Sequence, residues 1–182
     1  MEEATSALVK TMALEMGIDL VGIASAEDLL LAYPPRPAVG VLPTARSVVV
    51  MVVAHSYGAA MSPDIRTRTR NKMQTSRLLD QAAEKISRHL ESLSHVSVPV
   101  SADKPVEIFK RDPETGRRFR FPRVAGHLSL KHAAVSAGMG QLARSNLLLT
   151  PEFGPHQRLG GFVTEAPLQP DPPRRLDLCI EG

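Results

Sequence analysis

Apolar positions along this chain fall into blocks with two different spacings. Ala4, Ala7, Leu8 and Met12 recur at the interval of one helix face, which predicts an amphipathic helix from Glu2 to Met16 that Gly17 ends. Leu20 to Ala24 is a short apolar run read as a strand, and Ser25-Ala26-Glu27 opens a helical turn through Leu31. Tyr33 to Pro43 holds Pro34, Pro35, Pro37, Gly40 and Pro43, and that many ring-locked residues leave only a surface loop. Ser47 to Ala54 is continuously apolar and valine-rich, the pattern of a central strand covered on both faces. His55-Ser56-Tyr57-Gly58 follows at its end, where either ligand contacts or a plain turn belong. Leu79, Ala82, Ala83, Ile86, Leu90 and Leu93 mark one face of a helix of roughly 20 residues, and Val96 to Val100 read as another strand.

The densest stretch runs from Gly126 to Leu168. Ser129 stands where an N-cap belongs, Leu130, Ala133, Ala134 and Ala137 keep helical spacing, and Gly138 sits where a helix end takes a left-handed residue. Leu147 to Leu149 predict a strand paired into the same sheet as Ser47 to Ala54. Thr150-Pro151-Glu152-Phe153-Gly154-Pro155 predict a rigid turn, and Leu159 to Thr164 a further strand. Small residues and free backbone N–H groups in such a unit suit a large flat or phosphate-bearing ligand, and equally a tight turn between packed elements. On the first reading Gly140 leaves room for the ligand, so alanine there keeps the fold; on the second it acts through folding alone. Gly138-Met139-Gly140-Gln141-Leu142-Ala143 also fits the dinucleotide pattern, but it follows a helix where that fingerprint requires a strand. Residues 101–125 read as a hairpin or an irregular insertion. The element order predicts an α/β protein of α+β type, a mixed β-sheet with helices on both faces, with one unit over residues 1–170 and a proline-rich tail over 171–182.

Composition narrows the function. With 182 residues, 43% hydrophobic and 23% charged, the chain is long enough for one buried core. No apolar run reaches the roughly 18 residues that span a bilayer, and the start MEEATSALVK carries acids where a secretory signal would carry lysines, so a cytoplasmic protein without a membrane partner is expected. The single cysteine, Cys179, cannot alone form a disulfide, a zinc site or an iron–sulfur site, and no two histidines share a metal-binding helix spacing. The net charge of +3 is uneven. Arg66, Arg68, Arg70, Lys72 and Arg77 form an acid-free run, and Lys110, Arg111, Arg117, Arg118, Arg120 and Arg123 a second, interleaved with Phe119 and Phe121. Such runs meet phosphates and bases in single-stranded nucleic-acid binders, but solvated loops account for them more simply.

Several of these segments in order carry a resemblance. Leu42-Pro43-Thr44-Ala45-Arg46-Ser47-Val48-Val49-Val50, then Ala133-Ala134 to Ala137-Gly138-Met139-Gly140, Asn146-Leu147-Leu148, Pro151-Glu152-Phe153-Gly154-Pro155 and Val163-Thr164-Glu165-Ala166-Pro167-Leu168, resemble the epoxyqueuosine reductase and reductive dehalogenase superfamily over most of the chain. The resemblance implies a nitroreductase-like cobalamin-binding domain of an iron–sulfur, corrinoid-dependent reductase. It implies that Gly138, Met139, Gly140, Arg144, Ser145 and Asn146, with Thr150, Pro151, Glu152, Phe153 and Gly154, line the corrinoid site, Arg144 facing the phosphate of the nucleotide tail. The family usually carries Gly-Lys where this chain has Ala143-Arg144, and an aromatic where it has Gln141. The resemblance points to Asp103, in Ala102-Asp103-Lys104-Pro105, as the proton donor, the other reading being a solvated aspartate. It also makes Cys179 a remnant ligand of a [4Fe–4S] cluster belonging to a truncated or absent ferredoxin-type domain, without which this chain is not expected to complete turnover. The implied partners are a corrinoid, an electron-donor protein and, through the basic runs, tRNA. A non-catalytic corrinoid carrier or scaffold, and a flavin-binding nitroreductase-like protein, are the alternatives.

Overall fold

The apolar blocks become packed elements in the computed structural model, which describes residues 4–32, 38–103, 109–112, 114–120 and 128–178. In chain order these are α1 (Ser6–Glu15), β1 (Leu20–Ser25), α2 (Ala26–Ala32), β2 (Ser47–Ala54), α3 (Tyr57–Met61), α4 (Ile65–Ser92), β3 (Ser97–Val100), β4 (Phe109–Arg111), β5 (Arg118–Arg120), α5 (Leu130–Ser136), β6 (Gln141–Leu142), β7 (Leu148–Leu149) and β8 (Gln157–Thr164). Local chemistry sets the first ends: the Thr5 hydroxyl accepts a hydrogen bond from the Leu8 amide at 3.1 Å, and Gly17 closes the helix with φ of 84°. Glu2 and Cys179 lie outside the described residues, as do residues 33–37, Phe121 and Arg123.

Four strands form one sheet in the order β1-β2-β8-β3, and every pairing in it is antiparallel. Helices cover both faces as expected, but the sheet is antiparallel throughout rather than mixed, because each neighbouring pair of strands runs in opposite directions. Alternate residues of β2 feed two cores, as the pleat requires. Val49, Met51 and Val53 face α1 and α4, meeting Val9, Ala13, Leu79, Ile86, Leu90 and Phe162. Val48 and Val50 face α2 and α5, meeting Leu29, Ala133, Ala134 and Val163. Each large side chain so buried contributes on the order of 1.5–3 kcal/mol, which explains why the run from Ser47 to Val53 is buried throughout.

Two glycines let these layers close. A Cβ on Gly160 would lie 2.7 Å from Leu79 Cβ of α4, and one on Gly161 would lie 2.0 Å from the Val49 carbonyl oxygen of β2. At the Ser47 end of the sheet the hydroxyls are internally satisfied: Ser47 Oγ donates to the Ala166 carbonyl at 2.8 Å and accepts from the Leu168 amide at 3.1 Å, and Ser97 Oγ donates to Thr164 Oγ1 at 2.8 Å. Glu165 accepts from the Val96 amide at 3.2 Å and from the Thr44 hydroxyl. The Arg46-Ser47 and Thr164-Glu165-Ala166-Pro167-Leu168 motifs thus meet in space as structural fasteners. The tail folds back along β1, where the Asp171 amide donates to the Ile23 carbonyl at 2.8 Å, the Ile23 amide donates to Asp171 Oδ2 at 2.9 Å and Asp171 Oδ1 pairs with Lys10 Nζ at 2.5 Å, covering an otherwise open edge.

Three expectations need correction. Leu147 to Leu149 do not enter the main sheet: β7 pairs with β6 in a separate two-stranded ribbon, because the reversal at residues 143–146 returns the chain onto Gln141 and Leu142. The first basic run is not a loop but the opening of the 28-residue α4, and Asp64 caps it by accepting from the Arg66 amide at 3.0 Å. Ser129 holds the N-cap position, yet its hydroxyl pairs with His132 Nδ1 at 2.7 Å rather than with a backbone amide. Residues 101–125 include the expected hairpin, β4 with β5.

The glycine contacts separate two substitutions. Gly161→Ala is expected to lose about 3 kcal/mol or more, since backbone must move on a central strand pair. Gly58→Ala, with nothing within 4 Å of its Cβ in α3, should be neutral or gain up to about 1 kcal/mol. Urea unfolding of the two variants checks both.

Candidate functional site

At the far end of the sheet Ala54 of β2 pairs with Gln157 of β8, and the His55 amide donates to the His156 carbonyl at 3.0 Å. Polar side chains gather just beyond. Arg158 points to the α4 face of β8, donating from Nε to Ser76 Oγ at 3.2 Å and from Nη2 to Asp103 Oδ1 at 2.8 Å. Lys72 Nζ lies 3.7 Å from the same carboxylate oxygen. Asp80 of α4 fixes the approach to Asp103 by accepting from the Ala102 amide at 2.8 Å. Asp103 is thus ion-paired to Arg158 and Lys72 while its side chain stays 50% exposed to solvent.

His55 completes this group. Burial lowers its pKa below the usual 6.5, the Asn71 side chain opposes that shift as a hydrogen-bond partner, and the nearby Arg158, His156 and Lys72 charges lower it further. Its Nδ1 is buried with no hydrogen-bond partner. A neutral imidazole with one open ring nitrogen, set among cations, can accept a proton or orient a ligand hydrogen-bond donor.

The glycine turn lies on the opposite face of the same sheet end. Gly138 has φ of 65°, the left-handed conformation expected of it, and its missing side chain is taken up by the tail: a Cβ would lie 2.3 Å from the Pro172 carbonyl oxygen. Gly140 is likewise occupied by protein, since a Cβ there would lie 2.1 Å from the Leu149 carbonyl oxygen. The expectation that alanine at 140 would keep the fold is therefore overturned by the closeness of β7. Met139 packs its sulfur over Gly22 of β1. Thr150 is buried, donates from Oγ1 to Gln157 Oε1 at 2.9 Å, accepts from the Phe153 amide at 3.2 Å, and closes a backbone bridge to Gly154. Gln157 Nε2 in turn donates to the Leu148 and Gly154 carbonyls at 3.2 and 2.9 Å.

What faces outward is the tip of the β6–β7 ribbon, with Arg144, Ser145 and Asn146 exposed and Leu147 beside them 51% exposed. Lys131 Nζ braces this tip on Asn146, whose φ is 61°. Pro151 and Glu152 are exposed on the next turn, and Phe153 is half-buried. Gln141 Oε1 is buried beneath the ribbon with no partner. A separate cleft of about 220 Å³ joins Gly138, Met139 and Glu152 to Lys10, Asp171 and Arg174. It is small beside ligand pockets of roughly 300–1,000 Å³.

The site residues expected from sequence thus divide over two faces, joined through the consecutive residues His156, Gln157 and Arg158. The sequence reading did not assign Lys72, His156 and Arg158 to a site; the signal available was the cation in Gln157-Arg158-Leu159-Gly160, out of place in an apolar strand. Among the described residues no group of three His, Cys, Asp or Glu can hold a metal ion, and no helix is long and apolar enough to cross a membrane.

No family model matches the chain. Over 133 residues, 72% of the chain, it is 28% identical to a tetrachloroethene reductive dehalogenase of Desulfitobacterium hafniense, of which the match spans 20%. An epoxyqueuosine reductase of Bacillus subtilis, described with its catalytic aspartate loop swung out of the active site, superposes with a TM-score of 0.62 at 17% identity, over 96% of this chain and 49% of that one. A further epoxyqueuosine reductase, solved with a modified tRNA stem loop, gives 0.63 at 18% identity, over 93% and 47%. A reductive dehalogenase described by B12-dependent dehalogenation gives 0.65 at 19% identity, over 91% and 21%. The chain therefore has the fold shared by epoxyqueuosine reductases and reductive dehalogenases. It is related in sequence to reductases of that superfamily, and it spans about half or less of their lengths.

Two outcomes follow from this geometry. Gly140→Ala should lower stability by about 2 kcal/mol or more, whereas Gly154→Ala, with open space around its Cβ but φ of 54°, should cost only about 1–2 kcal/mol; thermal melts compare them. Because the folded state holds His55 neutral, its contribution to stability is complete above about pH 6.5 and is lost as pH falls through its lowered folded value. His55→Asn is expected to flatten that acid limb of a stability–pH curve measured by urea unfolding.

Proposed function

We propose that this chain is a cobalamin-binding domain of a corrinoid-dependent reductase, with iron–sulfur electron transfer supplied by another domain or protein. The observation that carries this reading is that consecutive residues of β8 serve both groups at one end of the sheet, Gln157 holding the base of the ribbon at Leu148 and Thr150 and Arg158 pairing with Asp103 on the other face. The fit to a corrinoid is that of a platform rather than a pocket. Exposed Arg144, Ser145, Asn146, Leu147 and Pro151 suit a wide macrocycle rimmed by amides and carrying a phosphate. Bound cobalamin supplies reducing chemistry at its cobalt.

The chain's own residues supply proton management and orientation. Asp103 is the proposed proton donor, in keeping with the catalytic aspartate loop of the Bacillus subtilis relative. In the described arrangement Arg158 and Lys72 hold Asp103 as an ion pair, so donation requires that carboxylate to leave its two cations. Freed, Arg158 and Lys72 present positive charge to an anionic substrate group. A tRNA substrate remains within this reading, on the strength of the relative solved with a stem loop.

Absorbance titration tests the proposal. Added hydroxocobalamin should give a saturable spectral change, weakened about tenfold, or about 1.4 kcal/mol, by Arg144→Glu. No change with any corrinoid, while flavin mononucleotide binds, would replace this reading with the flavin one.

A further inference from the structure

The strap that follows Leu168 crosses the edge of β1 on a backbone that can hardly bond there. In Gln169-Pro170-Asp171-Pro172-Pro173 the three prolines have no N–H to donate, so the strap cannot run on as a further strand. Asp171 makes the attachment. Its amide donates to the Ile23 carbonyl at 2.8 Å, and its Oδ2, standing in for a backbone carbonyl, accepts from the Ile23 amide at 2.9 Å. Oδ1 pairs with Lys10 Nζ of α1 at 2.5 Å, and with the two side chains 26% and 33% exposed, solvent screens this pair less than one on the open surface. One helical turn earlier, Ser6 Oγ donates to the Gln169 carbonyl at 3.1 Å.

A strap that served only to close the edge of β1 would need no contact with the glycine turn. Yet it continues onto that turn: a Cβ on Gly138 would lie 2.3 Å from the Pro172 carbonyl oxygen and 3.3 Å from the Arg174 amide nitrogen. Gly138, with φ of 65°, leads the chain out of α5 and into β6. The next residue returns to the same stretch of β1, since Met139 Sδ lies 2.5 Å from where a Cβ on Gly22 would be. Strap and ribbon base therefore meet on two consecutive residues, Gly22 and Ile23. Because β6 and β7 pair with each other and not with the main sheet, the pose of the ribbon is set by contacts at its base, and the Gly138-Met139 step is one of them.

We propose that Asp171 is a positioning residue for the cofactor surface: by clasping the strap to β1 and α1, it sets the pose of the β6–β7 ribbon whose exposed tip meets the cofactor. The identity of that cofactor rests on the corrinoid reading, whereas the coupling of clasp to ribbon does not. Linkage makes the coupling reciprocal, so a ligand that fixes the tip also tightens the clasp.

Amide hydrogen exchange tests the coupling without any ligand. Asp171→Asn keeps an acceptor for the Ile23 amide and loses the charge pair with Lys10, Asp171→Ala loses both, and Lys10→Met loses the pair with Asp171 in place. Exchange at the ribbon amides of Ala143 and Asn146, which bond to the Leu147 and Ala143 carbonyls, should quicken in all three variants, by about tenfold in Asp171→Ala. Hydroxocobalamin should bind folded Asp171→Ala about tenfold more weakly than the unaltered chain, and on the unaltered chain it should slow exchange at Ile23 and Asp171. Should Asp171→Ala fail to fold, Asp171→Asn and Lys10→Met carry both readouts. Faster exchange confined to Ile23 and Asp171, with the ribbon amides and the cobalamin affinity of the folded variants unchanged, would overturn the inference and leave Asp171 an edge fastener. An unaltered chain that binds no corrinoid would sink the cofactor reading, and the ribbon amides would then decide the coupling alone.

Discussion

The antiparallel pairing of β2 with β8, from Ser47 opposite Thr164 to Ala54 opposite Gln157, is the constraint on which the structure depends. Both strands are covered on both faces, so a slip of one residue would carry Val49, Met51 and Phe162 out of one core and Val48, Val50 and Val163 out of the other. Gly161 fixes the register sterically by letting Val49 approach where no side chain fits. The pairing also gives the sheet two chemically different ends. At Ser47 and Thr164 the hydroxyls and Glu165 are internally satisfied, and the end is closed. At Ala54 and Gln157 the chain turns outward into His55, His156 and Arg158, and polar capacity is left over.

This division explains why so much of the resemblance rests on structural residues. Arg46-Ser47, Thr164-Glu165 and the glycines at 138 and 140 are recognisable because backbone and side chains meet there with no space to spare. A corrinoid reading that depended on empty space at those glycines would have no ligand cavity to use. The exposed ribbon tip and the ion-paired Asp103 carry it instead, joined by three consecutive residues at the open end of the sheet.

Legibility followed burial. The valine run of β2, the helix face from Leu79 to Leu90 and the left-handed Gly138 were readable because each is dictated by local pattern or by a single steric demand. The opening of α4 was not, because an exposed helix without apolar periodicity has the composition of a solvated loop. β7 was misplaced because two residues give too little pattern to choose a partner, and the choice is made by the reversal before it. The Arg158–Asp103–Lys72 group was hidden for a different reason: its members come from β8, the loop after β3 and α4, which only the tertiary fold brings together. Gly140 shows the same limit, since its neighbour is the backbone of Leu149 across the ribbon.

Amide hydrogen exchange with and without cobalamin addresses the central claim, that the cofactor surface is the exposed ribbon tip at the sheet end whose other face carries the Asp103 cluster. Slower exchange at residues 144–147 and at 153–154 on adding cobalamin is the predicted result. Unchanged exchange there, with protection confined to the cleft between Lys10 and Asp171, would contradict it.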